Sequence, residues 1–508
     1  MASGYLEIER KFDADGSVGL PPLDGLDGVT AVDAPVQHDL EAVYHDTADL
    51  RLLRGRVTLR RRTGGADAGW HLKLPAGSAR RELHAPLGRA VKNPPKGFLA
   101  PVTGILRGAR TSPVATLQTR RVVTVLRDAE GRALAEVADD AVTATMLAAG
   151  HDEPAVVQSW REIEVELGSG EEDLLTAVGE LLVAAGARPS ASASKIGRVL
   201  AARLADGDPP SPVGKPQRPR AGEFVVTALR EQVVALQEAD LLLRTEQPDA
   251  VHQLRVSARR LRSTLAAFRA VLDRDATQPV RDELAWFGGE LSTARDDEVA
   301  LAHLRALVAD QPEELVLGPV AARIQQAEVR ESRAGLDRAL ETLSEPRYLA
   351  LLDTLHALLA APPFTDRAGD RIRPVLRKAL RRSVRRLRDH MHTARQAPDP
   401  EREHALHNVR KAAKRVRYAA EIGTAELGPA KSLVRAAKDM QTSLGELQDS
   451  VITREHCRRF GVVAFGAGEN TFTYGRLHAL EQARAEQGVR DFWAEEPQLR
   501  KVLKRAAR

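Results

Sequence analysis

The sequence predicts an α+β protein: an N-terminal antiparallel β sheet closed into a tunnel, followed by an all-α duplicated helical bundle. Three observations carry this expectation. Up to Leu167, charged residues alternate with apolar ones along successive segments, the period of two that marks strands. From Glu223 onward Ala, Leu, Arg and Glu dominate with helical spacing, as in Val225 to Leu243 and Ala294 to Leu307. Between the two regimes, Asp206-Gly207-Asp208-Pro209-Pro210-Ser211-Pro212 leads on to Arg218-Pro219-Arg220, a composition that suits neither helix nor central strand. The expected organisation is a β domain over 1–205, a proline-rich tether over 206–221 and a helical domain over 222–508.

The opening strand, Tyr5 to Phe12, places Glu7, Glu9 and Lys11 on one face. Two neighbouring carboxylates repel unless a cation sits between them, and a hard divalent metal is the natural occupant because it prefers carboxylate oxygens. Trp160 to Leu167 repeats the pattern, with Glu162, Glu164 and Glu166 on one face and Ile163, Val165 and Leu167 on the other. Basic strands come between: Arg60 with Arg62, His71 with Lys73, then Arg80 with Glu82. Arg121 opens an apolar run ending at Arg127, and Glu136 and Asp140 share parity on the next strand. One such strand alone is ordinarily a solvated face. Their recurrence, acids at both ends and bases between, points the charges inward together. A closed sheet lined this way has a wet interior with an acidic, metal-holding end and a basic wall, which suits an oligophosphate bound with its metal.

The helical half contains an internal repeat. His252-Gln253-Leu254-Arg255-Val256-Ser257-Ala258-Arg259-Arg260-Leu261-Arg262 returns as His407-Asn408-Val409-Arg410-Lys411-Ala412-Ala413-Lys414-Arg415-Val416-Arg417. Downstream of each comes a leucine-led segment with a terminal acid, Leu291 to Asp296 and Leu444 to Asp449. Two related units in one domain fit a duplicated bundle. Residues at i, i+3, i+7 and i+10 lie along one helix face, so His252, Arg255, Arg259 and Arg262 form a basic stripe, as do His407, Arg410, Lys414 and Arg417. A third helix over Arg371 to Arg388 aligns Arg373, Arg377, Arg381, Arg385 and Arg388. Like charges at this spacing repel, so three such helices imply an anionic ligand, whereas one alone would simply pair with the abundant acids.

Composition narrows the function classes. A chain of 508 residues with 43% hydrophobic content suits two soluble domains, and aromatics at 4% leave packing to Leu, Val and Ala. The single cysteine, Cys457, excludes an internal disulfide. Neither a Walker pattern nor G-x-G-x-x-G occurs, nor does G-x-S-x-G, which argues against P-loop, Rossmann and serine-hydrolase chemistry. No apolar run is long enough to span a bilayer and the N-terminus carries no basic and apolar signal region, so a cytoplasmic protein without membrane partners is expected. A net charge of +5 permits nucleic acid, but few aromatics sit among the arginines for base stacking, which weighs against it.

Glu7-x-Glu9-x-Lys11, Tyr44-His45-Asp46-Thr47, Leu59-Arg60-x-Arg62, Leu72-Lys73, Arg80-x-Glu82, Glu136 with Asp140, Glu162-x-Glu164-x-Glu166 and Ser194-Lys195, in that order, resemble the CYTH superfamily. These are the triphosphate tunnel enzymes: inorganic triphosphatases, thiamine triphosphatases and one class of adenylate cyclase. The resemblance implies Mg2+ or Mn2+ on Glu7, Glu9, Asp140, Glu162 and Glu164. It implies triphosphate held by Lys11, Arg60, Arg62, Lys73, Arg80, Arg121 and Lys195, the first four also carrying catalysis. A single-residue register decides Arg121 against Arg120 and Asp140 against Asp139.

From Glu223 to about Phe492 the chain resembles the CHAD family, helical domains that bind inorganic polyphosphate, on its two histidine-led basic helices and Ala294-Arg295-Asp296. The second unit has Gln448-Asp449 where the first has Arg295-Asp296. This resemblance implies a polyphosphate surface of His252, Arg255, Arg259, Arg262, Arg373, Arg377, Arg381, His407, Arg410, Lys414 and Arg417. Together the halves imply metal-dependent hydrolysis of inorganic triphosphate and short polyphosphate, with long-chain polyphosphate as partner and polyphosphate granules as a site of association. The alternatives are thiamine triphosphatase or adenylate cyclase activity, or a non-catalytic granule-binding protein.

Overall fold

The computed structural model describes residues 3–77, 79–88, 92–148, 155–205, 219–428 and 430–506, and gives backbone alone for 3–6, 293–296, 399–400, 425 and 506. Most of the proline-rich tether and the side chains of Ala294-Arg295-Asp296 therefore lie outside the described residues. The chain divides into two compact units, Met1–Ser211 and Pro212–Arg508.

The strands of the first unit are β1 (Ser3–Glu7), β2 (Glu9–Ala14), β3 (Ala31–Val32), β4 (Val36–Asp46), β5 (Thr58–Thr63), β6 (Gly69–Ala76), β7 (Ala79–Pro86), β8 (Ser112–Arg127), β9 (Ala133–Met146), β10 (Val156–Leu167) and β11 (Arg188–Pro189). They form one sheet in the order β1-β7-β6-β5-β4-β8-β9-β10-β2-β11, with β3 on β8, and every pairing among the described residues is antiparallel. The ladder is not an unbroken hydrogen-bonded ring. The terminal strand β1 is instead joined covalently to β2 near the other end of the order, because β1 pairs with β7, β2 pairs with β10, and only Ile8 separates β1 from β2.

Closure turns the usual sorting inside out. The apolar parity of β2 and β10 (Phe12, Ile163, Val165) faces outward, where Leu174, Leu175, Val178 and Leu182 of a covering helix complete a core. Fully burying such side chains stabilises by about 1.5–3 kcal/mol each. The close approach explains Gly179: a Cβ there would stand 3.0 Å from Phe12 Cζ. The charged parity has only the interior left to it.

The helices, in chain order, are α1 (Arg51–Arg54), α2 (Thr103–Leu106), α3 (Glu172–Ala184, the covering helix), α4 (Lys195–Val199) and α5 (Ala201–Ala205) in the first unit. The second unit has α6 (Ala221–Arg244), α7 (Ala250–Ala267), α8 (Arg274–Glu290), α9 (Ser292–Ala309), α10 (Val320–Ser344), α11 (Pro346–Ala360), α12 (Ile372–Gln396), α13 (Asp399–Ile422), α14 (Thr424–Leu427), α15 (Lys431–Gly466) and α16 (Phe472–Ala506). Ser194 accepts a hydrogen bond from Gly197 N at 3.1 Å and so caps α4, whose Ile196 and Val199 pack with Leu117, Val142 and Ala144 of the sheet. That packing fixes where Lys195 can reach.

In the second unit one core joins α6, α7, α8 and α11 through residues such as Leu229, Leu254, Leu284 and Leu352. Another joins α12, α13, α15 and α16 through Leu387, Val409, Leu444 and Phe492. A third holds α9 and α10 to α15 and α16 through Leu304, Ile324, Phe460 and Leu477. The two repeats lie on α7 and α13, which pack against each other.

Candidate functional site

Cross-strand register assembles the tunnel interior. Glu7 stands opposite Arg80, Lys73 opposite Glu82, Lys11 opposite Glu164, Arg121 opposite Asp140, and Asp140 in turn opposite Glu162. Directly opposed residues of one face are close enough to interact, so the ladder hands a base to Glu7, Glu82, Glu164 and Asp140. The result is a cavity of about 480 Å³ whose lining includes Glu7, Glu9, Lys11, Arg60, Arg62, Lys73, Arg80, Arg121, Glu164 and Lys195. Asp140 and Glu162 sit behind this wall, 0% and 3% exposed.

The predicted inward residues thus come together, and the two register questions are answered. Arg121 and Asp140 face in, whereas Arg120 stays exposed and Asp139 pairs with Arg161 at 2.7 Å. Sequence reasoning passed over His38 and Asp67, which also line the cavity. Asp67 makes a close ion pair with Arg62, and its carbonyl meets His71 Nε2 at 2.9 Å. It lies in the β5–β6 hairpin, where the alternation that flagged the others stops.

The interior divides electrostatically. At one end Arg121 binds Asp140 through Nε and Nη2 at 2.8 and 2.7 Å and reaches Glu164 at 2.6 Å. Lys195 Nζ lies 2.9, 2.6 and 2.7 Å from oxygens of Asp140, Glu162 and Glu164. Lys11 bridges Glu9 and Glu164. Burial alone would raise the Glu164 carboxyl, but Lys11, Lys195 and Arg121 hold it well below the usual range. Burial likewise opposes the Lys195 ammonium, yet Glu164, Asp140 and Glu162 outweigh it and raise its pKa.

The basic wall is different. Arg60 Nε and Arg62 Nε are buried with no hydrogen-bond partner, and burial followed by Arg60 and Arg121 lowers the Arg62 pKa to about 10. Positive charge is crowded there. On the opposite side burial, then Glu7, pushes Glu166 up to about 7, with Lys73 opposing and Glu9 and Glu136 adding to the rise.

On the helical unit the predicted residues meet varied fates. Arg259 donates to Tyr418 Oη at 2.9 Å, Arg417 pairs with Glu421 at 2.8 Å, and Arg373 faces Glu426 at 3.6 Å. Arg377 and Arg381 are exposed, as is His252; Arg255, Arg410 and Lys414 are half-buried. His407 Nδ1 is buried without a hydrogen-bond partner. Arg262 meets Arg281, outside the predicted stripes, as well as Arg259 of its own: burial, then Arg281 and Arg259, lowers its pKa, and burial, then Arg386, Arg262 and Arg281, does the same at Arg415. Four helices contribute to this cluster. Arg415 was visible in the repeat but not in its i, i+3, i+7 face; Arg281 had no periodic partner in sequence.

Two family matches cover most of the chain: the CYTH domain over residues 6–198 and the CHAD domain over residues 227–458. This is a CYTH–CHAD protein. It is similar to uncharacterized protein MT2285 and uncharacterized protein Rv2226 of two Mycobacterium tuberculosis strains, CDC 1551 / Oshkosh and ATCC 25618 / H37Rv. Each is 40% identical over 514 residues, 99% of this chain and 98% of theirs. Among solved structures, PptA from Streptomyces chartreusis is 22% identical with a TM-score of 0.44, covering 56% of this chain and 99% of that one. The CHAD domain from the plant Ricinus communis is 22% identical with a TM-score of 0.43, covering 58% and 95%. CYTH proteins are metal-dependent triphosphatases or cyclases, and CHAD domains are linked to polyphosphate binding.

The CYTH interior offers the donors a divalent ion wants. Asp140, Glu162 and Glu164 bring one oxygen each within 4.8 Å of one another. At the other end Glu7, 3% exposed, leaves its Oε2 buried with no hydrogen-bond partner beside the cavity. A buried carboxylate oxygen without a donor calls for a cation. Among the described residues no helix is long and apolar enough to cross a membrane.

Proposed function

We propose that the CYTH unit hydrolyses inorganic triphosphate and short polyphosphate in its tunnel, and that the CHAD unit binds long-chain polyphosphate and so concentrates the enzyme on it, including at granules in the cytoplasm. The observation that carries this is the wall of Arg60, Arg62 and Arg121: guanidinium groups crowded against one another, partly unpartnered and facing a polar cavity. Such a wall is unfavourable until an anion enters. The described lining has Tyr44 and His38 as its only rings, and Trp70 is 0% exposed outside it, so no broad aromatic face awaits an organic base.

Triphosphate would lie along Lys11, Arg60, Arg62, Lys73, Arg80 and Arg121, whose charges neutralise the oxygens that otherwise repel a nucleophile. Water attacks the terminal phosphorus, the bridging P–O bond breaks, and the leaving pyrophosphate departs against the same cations. A carboxylate of β10 accepts the proton released from water. Mg2+ or Mn2+, held by inward carboxylates with Glu7 and Glu9 foremost, supplies further charge neutralisation when bound.

The test is phosphate release from tripolyphosphate, thiamine triphosphate, ATP and long polyphosphate, each with Mg2+ or Mn2+. Fastest turnover of tripolyphosphate is expected. Preference for thiamine triphosphate, or formation of cyclic AMP from ATP, would move the assignment to those activities. No turnover with intact polyphosphate binding would make the chain a granule-binding protein.

A further inference from the structure

We propose that Lys195 stands, as a fixed ammonium, where a metal would otherwise sit among Asp140, Glu162 and Glu164, so that the tunnel takes its divalent ion only at the Glu7–Glu9 end. This rests on the metal-dependent reading of the tunnel and divides the five carboxylates that reading draws on.

All six oxygens of the triad are already engaged. Asp140 gives both to Arg121 and one also to Lys195. Glu164 meets Arg121 with Oε2, and Lys11 and Lys195 with Oε1. Glu162 accepts from Trp160 Nε1 at 2.5 Å through Oε2. Its Oε1 lies 2.6 Å from Lys195 Nζ, an ion pair without hydrogen-bond alignment. Three carboxylates therefore face three cations, Lys11, Arg121 and Lys195. A divalent ion added there would overcharge the site unless Lys195 left, and its side chain is 9% exposed on a helix whose next residue, Ile196, is buried in the sheet core. An ammonium held by three acids resists exchange because its departure would leave Glu162 without a cation and take one of their cations from Asp140 and Glu164, all inside a buried site.

The opposite end has the reverse imbalance. Glu9 and Glu166 face each other across β2 and β10, and Glu136 faces Glu166 across β9 and β10. With Glu7 they make four carboxylates against Lys73, which reaches Glu7 Oε1 at 2.5 Å, Arg80, which stands opposite Glu7, and Lys11, which is shared with the triad. Glu7 is 3% exposed and its Oε2 has no hydrogen-bond partner. A divalent ion offsets the negative charge that remains and supplies that oxygen's missing partner.

The test counts metal without any substrate. The full-length protein, stripped of metal, is titrated with Mn2+ and the free ion is read by electron paramagnetic resonance, with circular dichroism verifying each variant's fold. One tight Mn2+ per chain is expected. Glu7→Gln should weaken it by more than the about tenfold that even an outer-shell change brings, while Glu162→Gln, nearly isosteric, should keep it within about twofold. Lys195→Met should bind a second ion. Two tight ions in the unaltered protein, none at all, or loss of the single ion in Glu162→Gln would each overturn the proposal. Should Lys195→Met fail to fold, the Glu7→Gln and Glu162→Gln pair decides alone. Failure of the hydrolase reading shows separately, as no phosphate release from any substrate.

Discussion

The CYTH tunnel and the CHAD helices both gather positive charge, but they hold it in opposite ways. In the tunnel strand register places Lys11, Lys73, Arg80 and Arg121 each against an acid, and the polar atoms left without a hydrogen-bond partner, such as Arg60 Nε, Arg62 Nε and Glu7 Oε2, are buried. On the helices, arginines of α7, α8, α12 and α13 press on one another, and Arg262 and Arg415 stay half-buried with lowered pKa from burial and their own kind. The first arrangement specifies positions; the second accumulates potential. A tunnel of that kind can stabilise one transition state, while a charged surface can grip a chain of any length.

The largest effect that follows belongs to the tunnel. Glu9 pairs with Lys11 at 2.8 Å and lines the cavity, so Glu9→Gln preserves shape while removing charge from the proposed metal end. Metal-dependent tripolyphosphate turnover should fall by at least about a hundredfold, the scale seen when one preorganised charge contact is lost. Near-normal turnover would mean that the tunnel is as forgiving as the helices and would erase the contrast.

On the helices single changes should matter less and add up. Arg255→Ala with Arg259→Ala should weaken long-chain polyphosphate binding and lower its salt slope by about 2, one per lost phosphate contact, with tripolyphosphate turnover unchanged. The matching pair at Arg410 and Lys414 should behave alike because the repeat places them equivalently on α13. Titrating both variants at two salt concentrations measures this. An unchanged slope in both would return α7 and α13 to a solvated basic surface, and a stronger loss for duplex DNA or RNA would reassign the partner. Replacing Arg281 and Arg415 instead tests whether the cluster outside the stripes shares the ligand.

A division into two working parts sharpens the comparison further. A fragment ending at Ser211 should hydrolyse tripolyphosphate within about threefold of the full chain, and one starting at Pro212 should bind polyphosphate without releasing phosphate, since each unit has its own core. Inactive or insoluble fragments would show that the contrast in charge is not one of independent domains.

What the sequence made legible follows the same line. Period-two alternation reported each inward residue of β1, β2, β5, β6 and β10 because a strand has only two faces. It did not report that Ile8 breaks the first strand and closes the ring covalently, since one apolar residue in an alternating run carries no mark of a bend. Nor did it report Asp67 on Arg62, a hairpin contact without periodicity. For the helices, spacing revealed the stripes but not which neighbours α8 and α12 would supply, because Arg281 and Arg386 reach the cluster only through packing.

The smallest expected effect is the most exacting test of positional specificity. Arg120 and Arg121 are adjacent, carry the same charge and lie on one strand, yet the pleat sends them to opposite sides. Arg121 is 17% exposed and bound to Asp140 and Glu164, whereas Arg120 is 69% exposed and lies 3.9 Å from Asp39. Exposed pairs of that kind contribute about 0–1 kcal/mol, and a charge on the outer face is screened from the cavity by the sheet and by salt. Arg120→Ala should therefore leave both the kcat and the KM for tripolyphosphate within about twofold, while Arg121→Ala should abolish measurable turnover by leaving Asp140 and Glu164 short of a cation. Steady-state kinetics on the two variants settles it. Were Arg120→Ala to raise KM several-fold, the tunnel would be collecting its substrate through general potential, as the CHAD surface does, and the distinction between the two units would reduce to one of burial.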